Sequence, residues 1–174
     1  MRFLSRLFGK RKPDRLPWFP QCHVYYNSKR LVISAVQSDV TDWWSIDGDP
    51  LAIFLLSANL LEIGQAVINS LAGSHDRLTN EEAERQYASM PNRIGEPSWR
   101  KLEKQWDMIH IATEKSPEAV DIYPMHRYET GGWTMQTTDS KYHCRLDASE
   151  IGQIISKIVH GPSPEIISHE PSHV

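Results

Sequence analysis

Two clusters in this 174-residue chain hold side chains that could do chemistry. Adjacent His143 and Cys144 are the residue types of a thiol nucleophile and its base. On a strand, neighbours point to opposite faces, so this pair cannot share a proton. Around His126 the run Met-His-Arg-Tyr-Glu brings together the residue types of a nuclease-like site. Three polar residues after a strand read first as a solvated loop. The eight histidines are scattered along the chain, and Cys22 and Cys144 follow no metal or redox spacing. Phosphate-binding glycine loops and a Gly-x-Ser-x-Gly elbow are absent from the sequence. The chain therefore reads as a non-enzyme that needs no cofactor and no metal.

The stretch with the clearest character is Gln37–Pro50, "QSDVTDWWSIDGDP". It holds Asp39, Asp42, Asp47 and Asp49, no lysine or arginine, and the adjacent Trp43 and Trp44. If one tryptophan faces outward, it is an aromatic anchor ringed by carboxylates, suited to a basic protein partner. If both rings are core, the aspartates are ordinary turn residues. The sequence leaves both readings open, and the first makes these six residues the candidate partner-binding set.

Charge adds to the first reading. Residues 1–15 carry six basic residues against Asp14, a balance of +5, while the whole chain is −3, so residues 16–174 carry −8. An acidic body disfavours direct binding of nucleic acid and favours a basic partner. The basic start, with Phe3, Leu4, Leu7 and Phe8, allows two readings. It is a solvated terminus, or an amphipathic segment of a membrane-surface adaptor. No apolar run reaches 18 residues and no secretory signal is legible, so the expected location is the cytoplasm.

The elements that must position these residues are announced by a repeat. Glu-Ile-Gly-Gln occurs at Glu62–Gln65 and again at Glu150–Gln153. In register, Asn59 falls on Asp147, both good helix N-caps. Ile63, Val67 and Leu71 fall on Ile151, Ile155 and Val159, one apolar stripe at i, i+4, i+8. Gly64 and Gly152 cost each helix about 1 kcal/mol relative to alanine, and a shared cost predicts a shared close approach to a neighbouring backbone. Gly73 and Gly161 are placed as helix C-caps. Upstream, "DGDP" and "TTDS" read as turns between strands, with Trp44-Ser45-Ile46 matching Trp133-Thr134-Met135.

Residues 22–37 read as two strands joined at Asn27-Ser28, and "AVDIYP" as another ending near Pro124. Between the repeats lies a helical insert. Thr79 and Glu82 make a capping box, Trp99, Leu102 and Trp106 share a face, and "MPNRIGEP" reads as the loop between the helices. The expected architecture is α+β: an antiparallel sheet with packed helices, two related β-β-α units around one core, and the insert. The expected organisation is a basic segment 1–20, one domain 21–161 and a tail 162–174.

The Leu/Ile-rich strand, the short polar cap, Glu-Ile-Gly at the helix start and its recurrence in "SEIGQIISKIVHG" resemble the CdiI-type immunity proteins of bacterial contact-dependent growth inhibition. The resemblance spans roughly residues 22–161, and its motifs are structural. Where the family often carries a basic residue after the first helix, this chain has Ser-His-Asp-Arg, with Arg77 closest to that role. The resemblance implies a cytosolic protein that neutralises a cognate toxin, the C-terminal domain of a large secreted protein. Many such domains are nucleases, whose basic grooves an acidic body would cover. It transfers no binding residues.

Overall fold

In the computed structural model, residues 19–39, 45–113, 116–129, 131–134, 141–162 and 166–167 are described. In chain order the strands are β1 (Gln21–Tyr26), β2 (Arg30–Asp39), β3 (Ser45–Leu55), β4 (His75–Leu78), β5 (Asp107–Ala112), β6 (Ala119–Pro124), β7 (His126–Tyr128), β8 (Trp133–Thr134), β9 (Tyr142–Arg145) and β10 (Ile166–Ile167). The helices are α1 (Leu60–Gly73), α2 (Asn80–Arg93), α3 (Trp99–Gln105) and α4 (Ala148–Val159).

The main sheet runs β3-β2-β1-β5-β6-β9, antiparallel throughout, with β4 added in parallel beside β2; β10, β7 and β8 form a second, small sheet. Alternation along the strands sends Cys22, Val24, Leu31, Ile33, Ile109, Ile111, Val120 and Ile122 to one face. There they meet the repeated stripe of α1 and α4: Ile63, Val67 and Leu71, with Ile151, Ile155 and Ile158. The other face packs Tyr25, Val32 and Met108 against Met90, Ile94, Leu102 and Trp106 of the insert. The architecture is the α+β arrangement the sequence predicts, with helices on both faces of the sheet.

The two units are related more closely than their words suggest. The sheet order is symmetric about the β1–β5 seam, so β1-β2-β3-α1 corresponds to β5-β6-β9-α4. Each unit thus carries a further strand. One rung reads Val24–Ile33–Ala52 and its counterpart reads Ile111–Ile122–Tyr142. The caps form as expected: Asn59 accepts from the Leu61 N–H, and Asp147 from the Glu150 N–H. A Cβ on Gly64 would stand 1.8 Å from the carbonyl oxygen of Ala148, and one on Gly152 would stand 2.0 Å from that of Leu60. Leu60 and Ala148 are themselves equivalent in the repeat, so the two helices touch reciprocally.

Four local expectations change. "DGDP" is no turn; it lies inside β3, where the pairing slips between Ser34–Leu51 and Ala35–Gly48 and leaves Asp49 and Pro50 as a bulge. Residues with turn preferences also suit a bulge, where a missing ladder N–H is tolerated. Thr134 belongs to the small sheet and Ser45 to the main one, so they are not counterparts; Trp44 and Met135 lie outside the described residues. Gly73 closes α1 with Ser74 as the cap; its lack of a side chain leaves room for Pro50, whose Cδ would lie 2.2 Å from a Cβ. Finally, α2 runs through Met90 and Pro91 to Arg93, with the turn at Ile94-Gly95, where Gly95 has φ +83°. Pro91 sits in the last turn, close enough to the end for the helix to absorb it.

Candidate partner-binding site

The acidic stretch divides at Gly48, with one aspartate turned inward and the next outward. Asp47 is 5% exposed. Its Oδ1 lies 3.0 Å from His23 Nδ1 and accepts from Ser34 Oγ at 2.5 Å, while Oδ2 accepts from the Tyr25 hydroxyl at 2.6 Å. Burial alone would raise the carboxyl's pKa. The His23 charge and the hydrogen bonds from His23, Ser34 and Tyr25 outweigh it and hold the group below the usual range. Burial and the neighbouring Asp47 charge push the Tyr25 phenol well above its ordinary value, so it stays a donor. Asp47 therefore cannot touch a partner, a correction to its placement in the candidate set. Its three partners come from β1 and β2, which face it from the middle of the sheet.

Asp49 points the other way. It is 74% exposed and pairs with Arg93 at the end of α2. Asp39 is the last residue of β2. Asp42, Trp43 and Trp44 lie outside the described residues.

A row of polar side chains that the sequence reading missed crosses the sheet on the face away from α1 and α4. His23 is the cross-strand partner of both Ser34 and His110, and His110 of Tyr123. The two imidazoles stand 5.3 Å apart at the centre of the seam. Burial, and then the charge on His23, push the His110 pKa down to about 3, so this ring is neutral. At the far end Asp121, 2% exposed, receives Lys141 Nζ at 2.8 Å and lies 2.8 Å from His143 Nδ1. The missed signal was alternation: His23-x-Tyr25, Ser34 and Asp121-x-Tyr123 all fall on one face.

The geometry is not that of an activated nucleophile. Ser34 and His23 each bond Asp47, with no Ser–His hydrogen bond between them. His143 faces Asp121 whereas Cys144 packs towards the α1–α4 core, and burial raises that thiol's pKa to about 11. Among the described residues no group of three or more His, Cys, Asp or Glu could hold a metal ion. Likewise, no described helix is long and apolar enough to cross a membrane.

No protein-family model matches the chain, and no curated protein does. Solved structures do match. A protein of unknown function from Neisseria meningitidis, NMB0488, superposes with a TM-score of 0.62 at 17% identity, covering 80% of this chain and 92% of that one. A chain of the CdiA-CT/CdiI toxin and immunity complex from Yersinia pseudotuberculosis superposes with a TM-score of 0.62 at 12% identity, covering 80% of this chain and 94% of that one. The fold is shared. At these identities the likeness is one of architecture, and it extends over nearly the whole of both neighbours.

Proposed function

We propose that this chain is an immunity protein. It binds the toxin domain of a contact-dependent growth inhibition system and neutralises it by occluding the active site. The observation that carries this reading is the fold shared with a chain of a toxin and immunity complex. The repeated, capped Glu-Ile-Gly helices, which resemble the CdiI type, favour the immunity partner as the relevant one. The −8 balance of residues 16–174 matches a toxin that must hold phosphates, so the proposed toxin is a nuclease. Residues 21–161 act as one domain, without catalysis, in the cytoplasm of the protected cell. An interface of about 1,600 Å² with a few well-packed anchors supports tight binding of this kind.

The test is co-expression with the toxin domain encoded immediately upstream. Cells should survive its induction, and the two proteins should co-purify. Growth arrest despite abundant folded protein would remove this reading.

A further inference from the structure

The two ends of the main sheet correspond in the repeat, and they are finished differently. Edge strand β9 spans four residues and carries His143 and Arg145, whose side chains are 59% and 80% exposed. Short length and charge keep an edge from pairing with another chain. Edge strand β3 spans eleven residues. Its first half is guarded by the Asp49-Pro50 bulge and the exposed Asp49 charge. Its second half, Leu51–Leu55, has no such guard. All five residues are apolar, and no charged residue occurs from Pro50 to Leu61. Among the described residues nothing pairs with the outer side of β3.

Of the five large apolar side chains exposed among the described residues, four lie in this uncharged stretch: Ile53 at 47%, Leu55 at 67%, Leu60 at 36% and Leu61 at 57%. A single exposed leucine means little, but such a group marks a contact surface. The backbone is open as well. The Leu56 N–H donates to the Lys29 carbonyl, so the even-numbered residues of this half bond β2. Leu51, Ile53 and Leu55 therefore turn their N–H and C=O groups outward. Of these, the Leu55 carbonyl already accepts from the Ala58 N–H.

An uncharged, apolar edge selects an uncharged, apolar partner. A basic strand finds no carboxylate here. Residues 16–174 carry −8, so two copies of the chain approach most readily where neither presents a charge. The edge also fits itself. With a two-fold axis through Ile53, antiparallel pairing sets Ile53 on Ile53 of the second copy. Leu55 then lies opposite Leu51 and Phe54 opposite Ala52, so each large side chain meets a smaller or complementary one.

We propose that the chain forms a two-fold dimer by antiparallel pairing of β3 with β3 of a second copy over Leu51–Leu55. The main sheet then runs without a break through both copies, and the exposed Ile53 and Leu55 are covered. This dimer does not depend on the immunity reading.

Sedimentation velocity of the full chain from about 1 to about 200 μM should show a reversible dimer, with Kd of about 1–100 μM for so small a contact. Leu55→Lys, at an exposed position, should weaken it at least about tenfold. Ile53→Pro keeps an apolar side chain and removes an N–H that β2 does not use, and it should do the same. The same charge placed on α1, Asn69→Lys, should stay within about threefold of the wild type. A wild-type chain that is monomeric throughout overturns the proposal, as does a dimer that Leu55→Lys and Ile53→Pro leave intact. If the wild type is monomeric and Leu55→Lys instead loses the toxin, the edge belongs to the toxin; the second copy falls and the immunity reading stands. A dimer that fails to protect cells removes the immunity reading alone. Should Ile53→Pro fail to fold, Leu55→Lys decides.

Discussion

Asp47 receives hydrogen bonds or close approach from His23, Tyr25 and Ser34, and every one of those groups would be left without its acceptor if the carboxylate were removed. Asp47→Ala is therefore expected to cost about 3–5 kcal/mol. The cost should depend on pH with a definite sign. The folded-state pKa of Asp47 is lowered, so its stabilisation is complete above the unfolded value of about 3.9 and is lost as pH falls through the folded value. Urea unfolding at pH 7, 5 and 3 should show the wild-type advantage over Asp47→Ala shrinking at the lowest pH. A difference constant over that range would mean that the carboxylate's charge is not what stabilises. This role was not legible in "QSDVTDWWSIDGDP". Four aspartates in one polar string look equivalent until the strand pairing is known. Only the pairing of β3 with β2 sets Asp47 over the hydroxyls of Ser34 and Tyr25.

At the scale of elements, the paired helices were the most legible part of the chain. The repeat Glu-Ile-Gly-Gln, its caps and its apolar stripe predict two equivalent helices, and glycine in place of a better helix former predicts the close approach. Gly64→Ala or Gly152→Ala would drive a methyl group into a carbonyl of the other helix, so each should lower stability by about 1–3 kcal/mol or more. The two contacts lie at one crossing, so once the first alanine has pushed the helices apart the second should cost less. A double-mutant cycle measured by chemical denaturation should give a coupling of about 0.5–3 kcal/mol. Strict additivity would mean the crossing is not shared. What failed at this scale failed for a physical reason. "DGDP" has the composition of a turn, and a bulge draws on the same residues. "MPNR" looked like a loop because of Pro91, although a proline so near the helix end breaks little.

For the whole molecule, charge makes the prediction. If the acidic face steers a basic partner, replacing Asp39, Asp42 and Asp49 together by Asn should slow association with the toxin and flatten its dependence on salt. Asp47 is left out of that variant because its effect would be on folding. Stopped-flow association from low to high ionic strength gives the answer, and an unchanged rate at low salt would place the contact away from this stretch. The sequence showed the charge asymmetry directly, since it is a sum over residues. It hid the symmetry of the sheet, because related stretches such as Cys22–Tyr25 and Ile109–Ala112 share a burial pattern and no word.

The seam between β1 and β5 joins the halves side by side, and the reciprocal crossing places α4 against α1. While the chain is being made, Ile63 and Val67 of α1 can already pack on β1 and β2, but Gly64 lacks the helix it meets in the finished fold. That helix, α4, leaves the ribosome only after the insert and β5, β6 and β9. A product stalled before α4 would therefore leave part of its apolar layer open. The proposed protective activity would arrive in one step, when α4 closes over α1.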